Sequence, residues 1–161
     1  MIRIALTHIV VILGLAACAQ LPAEPGGPDV DIAQDALNTA IRVYAPEGWN
    51  TFRVNNSVGL AIDVVGLAEI AFPADYGVRI FEYVGGEWRE VAHVPEDSAV
   101  GFVLPPSEGD PLKFGATSVF PILPDADSPV ALRIYIVGHV HRAGQVTDQK
   151  VGAFVDVTLS P

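Results

Sequence analysis

The run VRIFEYVGGEWREVAHV, residues 78–94, decides the fold class. Two segments rich in Val, Ile, Tyr, Phe and Trp flank Gly85-Gly86. Those glycines can supply the positive φ angles that a two-residue primed turn needs. Closing the turn there pairs Tyr83 with Trp88 and Glu82 with Arg89. One is an aromatic pair and the other an opposite-charge pair, and both favour that register. A second hairpin is expected in HVHRAGQVTDQKV, residues 139–151, turning around Arg142 to Thr147.

Outward from this hairpin the same period-two pattern recurs. AIRVYAP sets Ile41 and Val43 against Arg42 and Tyr44. SVGLAIDVVG sets Val58, Leu60, Ile62 and Val64 against Gly59, Ala61 and Asp63. PVALRIYIVG places Val130, Leu132, Ile134 and Ile136 inward, with Ala131, Arg133 and Tyr135 outward. KVGAFVDVTL groups Val151, Ala153, Val155, Val157 and Leu159 on one face, opposite Asp156 and Thr158. Such alternation marks half-buried strands. Helical periodicity is nowhere sustained, and 15 Gly and 13 Pro interrupt the chain too often for a long helix. Seven to ten short strands at this spacing predict an all-β domain over residues 39–161. A β-sandwich is favoured, because Pro105-Pro106 and the Pro-containing stretch 121–129 suit strands that cross between sheets. The GVRIFEYVGGEWREV hairpin and the closing pair LRIYIVG and VGAFVDVTLSP resemble the immunoglobulin-like modules of bacterial lipoproteins of unknown role. The cysteine pair and tyrosine corner of antibody domains are missing, so the resemblance implies architecture alone.

The N-terminus carries a different message. MIRIALTHIVVILGLAAC opens with Arg3, continues with an apolar stretch from Ile4 to Leu15, and ends in Ala16 and Ala17 before the single cysteine, Cys18. Positive, apolar and small-residue regions in that order form a secretory signal. The apolar part is shorter than the ~20 residues a membrane span requires. Leu15-Ala16-Ala17-Cys18 resembles the lipobox of bacterial lipoproteins. That resemblance implies cleavage after Ala17, a diacylglyceryl group on the Cys18 thiol and acylation of the new amino terminus. Residues 1–17 are then a lipoprotein signal peptide; the alternatives are an ordinary secretory signal cut after Ala17 or Ala19, or an uncleaved anchor helix. Two or three acyl chains, at ~0.8 kcal/mol per methylene, would hold the protein stably on a membrane. Residue 19 is Ala rather than Asp, which by the same resemblance favours the outer membrane in a Gram-negative host. Residues 18–38, rich in Pro, Gly and acid, read as a flexible tether, with one helical turn in DIAQDALNTAI as the alternative.

The net charge is −10, and removing Arg3 with the signal makes it one unit more negative. So acidic a chain is not expected to bind nucleic acid or to be drawn to anionic lipid by charge. Membrane attachment must come through Cys18. With no second cysteine, no intramolecular disulfide can form.

Catalytic signatures are absent: no Gly-x-Ser-x-Gly elbow, His-Glu-x-x-His or Cys-x-x-Cys occurs. No cofactor is implied, and the chain is read as a non-enzyme. His139 and His141, two apart on a strand, share a face and could supply two ligands to zinc or copper, with His93 or an acidic residue as a third. Two ligands alone fall short of a closed metal site. Acidic clusters at 29–31, 108–110 and 125–128 lack the spacing of a calcium loop. Asn55-Asn56-Ser57 reads as a turn. Among the aromatics, Trp49, Tyr76, Tyr83 and Trp88 are possible stacking platforms for carbohydrate. Trp49, in the PEGWN turn, is least committed to strand pairing and is the candidate binding anchor. The expected role is a lipid-anchored envelope protein acting by binding, as a scaffold or accessory subunit with an envelope protein partner. The alternatives are a sheet-edge peptide inhibitor or chaperone, and a metal protein built on His139 and His141.

Overall fold

The computed structural model describes residues 26–94, 101–107, 114–123 and 126–161; the signal segment expected over residues 1–17, with Ala17, and Cys18 lie outside the described residues. Among the described residues ten strands form two antiparallel sheets, with two single-turn 3-10 helices at Gln34–Ala36 and Glu47–Trp49. No helix among them is long and apolar enough to cross a membrane. The four-stranded sheet runs β1 (Ile41–Tyr44), β2 (Val58–Val64), β8 (Gly115–Pro121), β6 (His93–Val94). The larger sheet is built on the long hairpin of β9 (Val130–Arg142) and β10 (Gln145–Leu159). The other edge of β9 takes two strands end to end: β4 (Arg79–Val84) beside Leu132–Tyr135, and β3 (Glu69–Phe72) beside His139–His141. β5 (Glu87–Val91) extends β4, and β7 (Phe102–Leu104) extends β3. The result is the all-β sandwich expected from the alternation.

The first hairpin forms in the anticipated register. Glu82 faces Arg89 and Tyr83 faces Trp88, whose rings meet edge-on at 5.2 Å. Gly85 and Gly86 take φ of 63° and 92°. The second hairpin turns at Ala143-Gly144, both in the left-handed region, and carries an irregularity between Val146 and Lys150.

The inward positions predicted for β1, β2 and β9 make the core. Ile41, Leu60, Ile62, Leu132, Ile134 and Ile136 are all completely buried. Each such side chain contributes about 1.5–3 kcal/mol by leaving water. Two junctions close the sandwich. Only Ala92 separates β5 in one sheet from β6 in the other, and the Ala92 carbonyl accepts the Ile122 N–H at 2.7 Å. At the opposite side the Ser160 N–H donates to the Phe52 carbonyl and the Val54 N–H donates to Ser160, both at 2.8 Å.

Two expectations need correction. Residues 26–38, the described part of the predicted tether, are a strap packed across the outer face of the larger sheet. Val30 and Leu37 are buried there with Phe81 and Tyr135, flanked by Ile32, Trp88 and Phe154. Polar ties fix the strap. Trp88 Nε1 donates to the Gly26 carbonyl at 2.6 Å, the Asn38 N–H donates to Gly152, and Phe154 N–H donates to Asn38 Oδ1. Lys150 pairs with Asp31. The alternative of a helical turn is met by the 3-10 turn at Gln34–Ala36. Ala131, Arg133 and Tyr135 do point away from the core, but all three are buried, Arg133 and Tyr135 against the strap. Arg133 is 3 % exposed and bridges Asp156 through Nε at 2.7 Å and Nη2 at 2.8 Å. Its guanidinium sits over Phe154 (4.1 Å) and Trp88 (5.0 Å), a cation between two aromatic faces. Burial works against that charge, but the bonds and charge of Asp156, helped by Tyr135, outweigh it and raise the pKa above the ordinary value.

Candidate functional site

The β1–β2 loop and the outer face of the four-stranded sheet build the site. After β1, Pro46 starts a 3-10 turn in which Trp49 N–H donates to the Pro46 carbonyl at 3.0 Å. The next residue, Asn50, clamps the turn onto β2. Its Nδ2 donates to the carbonyls of Pro46 (2.8 Å) and Gly59 (3.0 Å), and its Oδ1 accepts the Gly59 N–H at 2.7 Å. The amide thus stands in for a strand's backbone at the edge of β2. The indole lies over Gly59: a Cβ at that position would sit 3.5 Å from Trp49 Cβ and 3.7 Å from Cε3. One aromatic side chain is thereby held in a set place while 51 % of its surface stays in water.

The strand register supplies the floor. Gly59 faces Ser118 and Ala61 faces Ala116 across the β2–β8 pair, so the outward positions here are small. Phe114 lies 6.0 Å from Trp49, and Phe120 on β8 and Val94 on β6 rise at the far side. Trp49, Ser57, Gly59, Val94, Ala116, Thr117, Ser118 and Phe120 enclose an open groove of about 710 Å3. That volume is in the range of small-molecule sites. Among the described residues the lining contains no charged side chain, and it includes the hydroxyl residues Ser57 and Ser118. Trp49, Val94, Phe114 and Phe120 are each more than a third exposed, which is unusual for neighbouring large apolar groups.

The other sequence candidates are placed elsewhere. Tyr76 is buried in the core against Phe72 and Phe102. Tyr83 and Trp88 pair across the first hairpin, on the strap side. His139 and His141 share the outer face of the larger sheet, as their spacing predicts, but their Nδ1 atoms have different partners. His139 Nδ1 lies 3.1 Å from the Thr147 carbonyl, and His141 Nδ1 lies 2.8 Å from Glu69 Oε2. His93 belongs to β6 in the opposite sheet. Among the described residues no three His, Cys, Asp or Glu gather as metal ligands. The outer edge of β10 is occupied at Gly152 and Phe154 by Asn38, and at Ser160 by Phe52 and Val54. Arg79 and Glu90 form a two-point ion pair near the strap; hydrogen bonding from Arg79 lowers the Glu90 pKa below its ordinary value.

Sequence reasoning named Trp49 as a candidate, and the structure sets Asn50, Phe114, Ser118 and Phe120, which it did not name, beside it. The signal for Phe120 lies in GATSVFP, residues 115–121, where Ala116, Ser118 and Phe120 fall on the outward phase of a strand. Compared with known proteins, the chain matches no family model, no curated protein and no solved structure.

Proposed function

We propose that this is a lipid-anchored protein of the bacterial cell envelope that acts by binding, without catalysis, and meets its ligand on the outer face of the four-stranded sheet. The observation that carries the binding role is the groove itself: a half-exposed tryptophan in a turn that three hydrogen bonds of Asn50 clamp onto β2, at the rim of a concave surface whose described residues are uncharged. An aromatic fixed before the ligand arrives loses little conformational entropy on binding. The anchor rests on Leu15-Ala16-Ala17-Cys18.

The strap gives this arrangement a direction. Gly26 is tied to Trp88 on the outer face of the larger sheet, whereas the groove lies on the outer face of the other sheet. Eight residue steps separate Cys18 from Gly26. Even fully extended they span at most about 28 Å. An acylated Cys18 would hold the domain close to the lipid surface from the side opposite the groove, leaving the groove open to ligand.

The anchor is tested by expressing the full chain and its Cys18→Ala variant in a bacterial host, then taking intact masses from membrane and soluble fractions. Wild type is expected in the membrane fraction as residues 18–161 plus acyl chains, and the variant without acyl mass. A wild-type chain lacking acyl groups overturns the anchor.

A further inference from the structure

We infer that the Trp49 groove takes a neutral glycan, with one pyranose ring stacked on the indole; this rests on the groove being the binding surface. Three features select that chemistry. The first is charge: the described residues of the lining are uncharged and the chain is strongly acidic, so an anionic ligand gains no partner among them and is repelled at long range.

The second is the mixture of surfaces. Trp49, Phe114, Phe120 and Val94 offer apolar faces, while Ser57 and Ser118 line the same space with hydroxyls. A hydrocarbon chain lying in the groove would cover those hydroxyls without returning hydrogen bonds, which is unfavourable. A pyranose has both characters. Its C–H face lies flat on an aromatic ring, and its rim of hydroxyls can donate to and accept from serine.

The third is position. The floor is the middle of a sheet, and the backbone groups of Gly59 to Ile62 and Gly115 to Ser118 face each other within the β2–β8 ladder. An extended peptide that adds a strand needs a free edge, which the groove floor does not offer. The small residues Gly59, Ala61, Ala116 and Ser118 leave the floor flat, so a ring can approach the indole without meeting a bulky side chain.

The protein contains two tryptophans, which makes the test direct. Trp88 Nε1 is hydrogen-bonded to Gly26 on the far side of the sandwich and serves as the internal control. The full chain, in polyoxyethylene rather than sugar detergent, is titrated with neutral glucose and N-acetylglucosamine oligomers while the two indole N–H signals are followed by NMR. The signals are assigned from Trp49→Phe and Trp88→Phe variants. The expected result is movement of the Trp49 signal alone, with half-saturation at roughly 0.1–10 mM, the weak range of an open single-ring stack. Trp49→Ala should weaken binding, followed by calorimetry, at least about tenfold, and Trp49→Phe should restore part of it. A Trp49 signal unmoved by every neutral saccharide overturns the glycan assignment. If a hydrophobic extended peptide then moves it, the face remains a binding surface of another class. If neither probe moves it, the groove falls as the binding surface as well.

Discussion

The Arg133–Asp156 pair offers the sharpest test of how the strap and the larger sheet are held together. The perturbation is Asp156→Ala. Arg133 is 3 % exposed, sits between Phe154 and Trp88, and receives two hydrogen bonds' worth of compensation from one carboxylate. Removing a single partner from a fully buried ion pair costs about 3–5 kcal/mol, because the remaining charge is stranded. Asp156 is 39 % exposed, so water reaches the vacated side and reduces the loss to about 2–3 kcal/mol. For a folded region of this size that is a fall in Tm on the order of 10 °C. Combining it with Arg133→Met puts an unbranched apolar chain between the two rings and removes the stranded charge. The double variant is expected within about 1 kcal/mol of wild type. Urea unfolding followed by tryptophan fluorescence reads both, since Trp88 borders the site. A loss below ~1 kcal/mol for Asp156→Ala, or a double variant no more stable than the single one, refutes the account of Arg133 as a desolvated charge dependent on Asp156.

Leu37→Ala should cost about 2–3 kcal/mol in the same urea assay, at the low end for a buried leucine because the strap can settle into the space; a cost near zero would mean that residues 26–38 contribute no packing. Gly77→Ala combines a φ of 58° with a Cβ placed 2.3 Å from the Val137 carbonyl, whereas at Gly85 (φ 63°) the space is open. Thermal melts should therefore show a loss of about 1 kcal/mol at Gly85 and distinctly more at Gly77. Glu90→Gln removes a carboxylate whose pKa Arg79 lowers from 4.5, so its stabilisation is present above pH ~4.5 and is lost as pH falls through the lower folded value. With Glu90 half exposed the effect is at most about 0.5 kcal/mol at pH 7 and vanishes well below pH 4. Equal differences between Glu90→Gln and wild type at pH 7 and pH 3 would contradict this sign.

Strand identity and local register were written in neighbouring residues. Period-two alternation in β1, β2, β9 and β10 assigns each residue to a face before any partner strand is known. Gly85-Gly86 sets the pairing of Tyr83 with Trp88 because a two-residue turn leaves one register. The same local logic placed His139 and His141 on one face, and singled out Trp49 as an aromatic outside any strand pattern.

What joins distant parts of the chain was decided only in three dimensions. Val30, Ile32 and Leu37 follow no regular period, so their segment reads as linker; they become a strap because Phe81, Tyr135 and Phe154 offer an apolar surface on the second face of the larger sheet. Arg133 and Tyr135 look solvent-facing by alternation, since alternation separates two faces of a sheet without saying what covers either. The groove likewise brings Trp49 from the β1–β2 loop to Phe114, just before β8, and Phe120 on β8, through a β2–β8 pairing between segments more than fifty residues apart. The local chain chose strands and turns; the pairing of remote strands and the covering of their faces made the charged core pair and the aromatic groove.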